Sequence, residues 1–75
     1  MDNNDVLRKV RYALDLKDSA MVKMFKSMGI EMSRNDLSDH FVNEEDPFFK
    51  PLSNEMLLAF LDGLIIDRRG EKDGK

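Results

Sequence analysis

SNEMLLAFLDGLIIDRR, residues 53–69, is the stretch on which the fold turns, because its apolar residues cover most of a helix's circumference. Met56, Leu57, Leu58, Phe60, Leu61, Leu64, Ile65 and Ile66 fall on several faces of a 3.6-residue period, with Glu55, Asp62 and Asp67 interrupting. A helix apolar nearly all round is a buried one. The pattern therefore predicts an all-α domain: a compact bundle of four short helices, or five, around a central and largely buried C-terminal helix. Ser53 caps that helix, with Leu52 and Leu57 in the staple positions. Gly63 inside it costs about 1 kcal/mol relative to alanine, which predicts a neighbouring helix crossing too close for a side chain, or else a kink.

Upstream, the chain divides into three further helical patterns, so that the expected helices lie near 5–16, 19–28, 34–43 and 54–68. Val6, Leu7, Val10, Ala13 and Leu14 share the face of the first, Asn3 or Asn4 caps it, and Arg8, Lys9 and Arg11 look outward. Asp18 caps the second, whose stripe is Met21, Val22, Phe25 and Met28, with Met24 lying off it. Gly29 ends it: with Gly29 in the left-handed position after the cap, Ile30 and Phe25 make the apolar contact of a Schellman stop. Ser33 and Asp36 form a capping box for the third, with Met32 and Leu37 as its staple and Leu37, Phe41 and Val42 as its core face. Residues 43–52, NEEDPFFKPL, are a connector, since Pro47 and Pro51 push the residues before them out of helical geometry. One or both of Phe48 and Phe49 should plug the core from it. One domain spans 1–70, and 71–75 is a disordered polar tail.

Seventy-five residues hide only about 60% of the unfolded chain's surface on folding, so association is a natural supplement to stability. There is no cysteine, which excludes disulfides and thiolate chemistry and fits a cytoplasmic location. The longest apolar run, Met56 to Leu61, is six residues, against the roughly 20 of a membrane span. Net charge is −3, with six bases and four acids in residues 1–30 and six bases and eleven acids in 31–75. That distribution suits head-to-tail association better than a broad phosphate-binding footprint.

The opening NNDVLRKVRYAL, the middle DLSDHFVNEEDPFF and the ending LLAFLDGLIIDRRG together resemble the YehS-like domain of small bacterial proteins, a domain of unknown function. The resemblance runs from Asn3 to about Gly70. It implies a relation to proteins with two such units in tandem, in which each unit would cover a surface that a lone unit leaves bare. It supplies no activity.

Candidate sites read from the residues are few. Asp36, His40 and Glu44 stand at i, i+4 and i+8, a spacing that would line a helical face with metal-binding groups, but with a single histidine in the chain a solvated face is the expectation. Neither a metal nor a cofactor is therefore expected. The six methionines read as core packing before a peptide groove. Nothing pairs a nucleophile with a base, so an enzyme is not expected. Residues 19–43 could form a helix-turn-helix for DNA, yet Asp36, Asp39 and Glu44 would face the phosphates with only Arg34 to offset them. The expected role is a protein–protein interaction or self-association module, with a homodimer or second copy of the same domain as partner. The expected interface is the final helix at Leu58, Ile65 and Ile66, which three short helices and a loop cannot cover.

Overall fold

The computed structural model describes residues 2–70, so the tail expected at 71–75 lies outside the described residues. Four helices follow in order: α1 (Asn3–Leu14), α2 (Asp18–Ser27), α3 (Arg34–Asp39) and α4 (Asn54–Arg69). There is no strand and no fifth helix among the described residues. α2 packs along α4, and onto this pair α3 leans from the α2 side and α1 from the α4 side.

α1 begins two residues before the expected start. Asp2 is the N-cap, accepting the Asp5 backbone N–H at 2.9 Å while Asp5 reaches back to the Asp2 N–H. That box satisfies the first turn, and it frees Asn3 and Asn4 from the capping role. The helix also stops at Leu14, not Leu16, because Asp15 turns left-handed (φ 52°, ψ 49°) and the chain folds Leu16 into the core. Ala13 and Leu14, expected on the core face, are consequently exposed.

Asp18 is not the cap of α2. Lys17 occupies that position without a side-chain bond, and Asp18 instead pairs with Arg11 at 2.9 Å. The exit is as expected: Ile30 N–H donates to Phe25 O at 3.0 Å and Gly29 N–H to Lys26 O at 2.9 Å, with Gly29 at φ 84°. Met24 is buried and Met28 lies at the surface, reversing their expected places on the stripe. α2 meets both α3 and α4, so its covered arc reaches Met24, while Met28 is the C-cap residue past the end of the helix.

The capping box of α3 forms as expected, Asp36 N–H donating to Ser33 Oγ at 3.0 Å and Ser33 N–H to Asp36 Oδ2 at 3.1 Å. The helix is shorter than expected, ending at Asp39, and residues 43–49 of the connector make two successive turns. Each is built around a side-chain acceptor: Glu45 N–H donates to Asn43 Oδ1 and Phe48 N–H to Asp46 Oδ1, both at 2.8 Å, with Pro47 following Asp46 as turn geometry favours.

Among the described residues the core is Leu7, Leu16, Met21, Met24, Phe25, Leu37, Leu52 and Phe60. Phe25 and Phe60 meet as tilted rings with centroids 5.3 Å apart. The connector's plug is Leu52; Phe48 is 70% exposed and Phe49 only half-buried, because the turn on Pro47 aims Phe48 at solvent. Gly63 does mark a close crossing. A Cβ there would overlap the Met24 carbonyl oxygen and come within 2.8 Å of its carbon, so α2 and α4 touch backbone to backbone.

The expectation that α4 is largely buried does not hold. Phe60 and Gly63 are its fully buried residues, and Met56, Leu57, Leu61 and Leu64 are half-buried against the core. α3 rests on α2 and never reaches α4, which leaves a long side of α4 uncovered. No helix among the described residues is long and apolar enough to cross a membrane.

Candidate functional site

Two regions of the surface stand out once the fold is laid down, one polar and satisfied, the other apolar and open. The polar one lies where the start of α1 meets the connector. Asn4 is 2% exposed there. Its amide Nδ2 donates to His40 O and Lys50 O, both at 3.0 Å, and its Oδ1 accepts from Leu52 N–H at 2.9 Å. Asn3 adds a bond from Nδ2 to Leu52 O at 3.0 Å. His40, also buried, sets Nδ1 2.8 Å from the same Lys50 carbonyl. A carbonyl can only accept, so Nδ1 carries the proton.

Arg8 and Arg11, expected to look outward, fold back over this junction. Arg8 Nη2 donates to Phe41 O at 3.2 Å and Val42 O at 2.9 Å, while Nη1 pairs with Asp5 at 2.9 Å. Arg11 lies over the Phe41 ring, 5.0 Å from its centroid, and donates through Nε to Leu16 O at 3.3 Å. Together these bonds stitch the turn after α3 to α1. Beside them lies a cleft of about 410 Å³ lined by Asp2, Asp5, Arg8, Phe41, Glu44 and Phe49. Among the described residues every buried side-chain nitrogen and oxygen has a hydrogen-bond partner.

The trio Asp36, His40 and Glu44 does not line a face. α3 ends before His40, whose ring points inward to Lys50 O, and Glu44 sits in the next turn. Among the described residues no group of three acidic, histidine or cysteine side chains gathers at metal-binding distance. The Ser33 backbone N–H, then the Ser33 hydroxyl and the Lys50 ammonium, hold the Asp36 carboxyl below its ordinary 3.8. Lys50 Nζ lies 3.5 Å from Asp36 and 3.6 Å from Asp39. As a DNA-reading helix α3 has six residues, and its one base, Arg34, is followed by two acids, Asp36 and Asp39.

The open region is the outer side of α4. Leu58 is 61% and Ile65 53% exposed, and seven residues apart they share a helical face turned away from Phe60 and Gly63. Ile66, expected beside them, sits about 100° round the helix, half-buried in a shallow groove with Lys23, Met24 and Ser27 of α2. A second apolar spot, absent from the sequence reading, is Tyr12, 90% exposed next to Leu14 on α1. The signal was its phase, because Tyr12 lies about 140° round the helix from the buried Leu7.

Comparison with known proteins adds a family. A model described as "Protein of unknown function (DUF1456)" matches residues 3–70. The uncharacterised protein YehS of Escherichia coli (strain K12) is 29% identical over 73 residues, which is 97% of this chain and 47% of the relative. The chain thus spans about half the length of the curated relative it matches. No solved structure matches it.

Proposed function

The chain belongs to the DUF1456 family of proteins of unknown function, and from that footing we propose that it is a non-enzymatic self-association module that docks a second copy of the same fold onto the outer side of α4. The observation that carries the reading is the exposure of Leu58 and Ile65 on one face of a helix whose other side builds the core. Two large aliphatic side chains left in water on an ordered helix gain by being covered, about 25 cal/mol for each Å² removed from solvent. A second copy is the simplest cover, because it needs no other gene product and its own face is bare in the same way. The relative of about twice the length supports the same occupant, since a chain with room for two such units could place one against the other.

Equilibrium sedimentation tests the reading. A mass that rises from monomer toward dimer with protein concentration, and stays at monomer in Ile65→Lys, is the expected result. Clean monomer throughout the micromolar range would remove self-association as the role. Binding to random duplex DNA at low salt, lost steeply as salt rises, would put residues 19–43 in its place as a helix-turn-helix.

A further inference from the structure

Along the open side of α4 run Glu55, Leu58, Asp62, Ile65 and Arg69, all exposed and spaced by three, four, three and four positions, with the exposed Asn54 at the start of the same side. That alternation averages 3.5 residues and traces a straight seam along a helix, the geometry by which two helices pack lengthwise. The seam has a built-in symmetry. Glu55 and Arg69 each lie seven residues from Asp62, of opposite charge, and Leu58 and Ile65 lie four and three residues from it, both apolar.

Resting on the self-association proposed above, we infer that two copies pair antiparallel through this seam, about a two-fold axis at Asp62. Glu55 of each copy then faces Arg69 of the other, and Leu58 of each packs on Ile65 of the other. An isologous interface requires the patch to complement itself in this way. A parallel pair would instead set Glu55 against Glu55 and Arg69 against Arg69, and like charges in register are unfavourable. Charge complementarity therefore selects the orientation as well as the partner. The same symmetry brings the two Asp62 carboxylates together at the centre, flanked by the apolar contacts. They repel, which holds the dimer weak and makes it respond to whatever neutralises that position.

The dimer dissociation constants of four variants, measured by sedimentation, and disulfide cross-linking test the arrangement. Glu55→Lys and Arg69→Glu should each weaken the dimer by about tenfold, and the double variant should return to within about threefold of wild type, because the two contacts are re-formed with signs exchanged. Asp62→Asn should tighten it by about tenfold. Asp62→Cys, in a chain with no other cysteine, should cross-link to itself under mild oxidation, whereas Glu55→Cys should cross-link only when mixed with Arg69→Cys. Arg69 also has a contact within its own chain, so far-UV circular dichroism and the thermal midpoint are read on each variant. A double variant as weak as the two single losses combined, or an Asp62→Asn protein no tighter than wild type, would overturn the antiparallel seam while leaving self-association standing. A monomeric wild type would remove both.

Discussion

The backbone of Gly63 in α4 lies against the carbonyl of Met24 in α2, so closely that even a methyl group at position 63 has nowhere to go. In an isolated helix Gly63→Ala would be stabilising by about 1 kcal/mol. Here the obstacle is main chain, which cannot rotate aside as a side chain can. Gly63→Ala should therefore destabilise the domain by about 1–3 kcal/mol, as an overpacked core does. Urea unfolding decides it, and a rise in the midpoint would show that the two helices have slack between them.

Asn4 ties together three backbone groups that lie 36 to 48 residues away in sequence, at His40, Lys50 and Leu52. Asn4→Ala strands a buried N–H and removes a donor from two carbonyls, with an expected cost of about 2–4 kcal/mol. Asn3→Ala, whose partners are closer to solvent, should cost about 1 kcal/mol or less. Equal losses from the two would mean the connector is held by something else.

Phe48→Ser should be nearly silent in thermal unfolding, within about 0.5 kcal/mol, whereas Leu52→Ala should cost about 2–5 kcal/mol. This contrast inverts what the composition of the connector suggests, and a large loss from Phe48→Ser would place that ring in the core after all.

Acid unfolding should show the α3 cap. The carboxyl of Asp36 titrates lower in the folded chain than in the unfolded one, so the unfolded state takes up its proton first as pH falls. Its contribution is complete above the ordinary carboxylate value and is lost as pH drops through the folded one. The stability difference between wild type and Asp36→Ala should accordingly be constant near neutrality and shrink as pH falls through and below the ordinary carboxylate range. A difference that does not change over that window would mean the cap acts without its charge.

How much of this was legible in the sequence follows the range of each interaction. Gly29, the Ser33–Asp36 box and the Ser53 cap are settled within four or five residues, and each takes its expected form. Gly63 was legible for a different reason, since a glycine inside so apolar a helix has few uses other than close approach. Asn4 and Arg8 were not, because their partners sit on the connector, and nothing local distinguishes a cap or a solvated arginine from a clasp. Phe48 was expected inside and lies in solvent because a loop has no period that assigns inside and outside, whereas Leu52, read as a staple residue, is buried. At the candidate site the open face at Leu58 and Ile65 was legible as more apolar surface than the chain can cover, while Ile66 was misplaced because the α2 crossing, fixed by Gly63 and Met24, takes its side of the helix.

Sedimentation equilibrium of wild type beside Ile65→Lys, across the micromolar range and into higher concentration, bears most directly on the proposal that α4 docks a second copy. Wild type should shift reversibly toward twice the monomer mass as concentration rises, and Ile65→Lys, with an unchanged helical spectrum, should stay monomeric. A wild type that remains at monomer mass throughout, or an Ile65→Lys protein that associates as well as wild type, would contradict it.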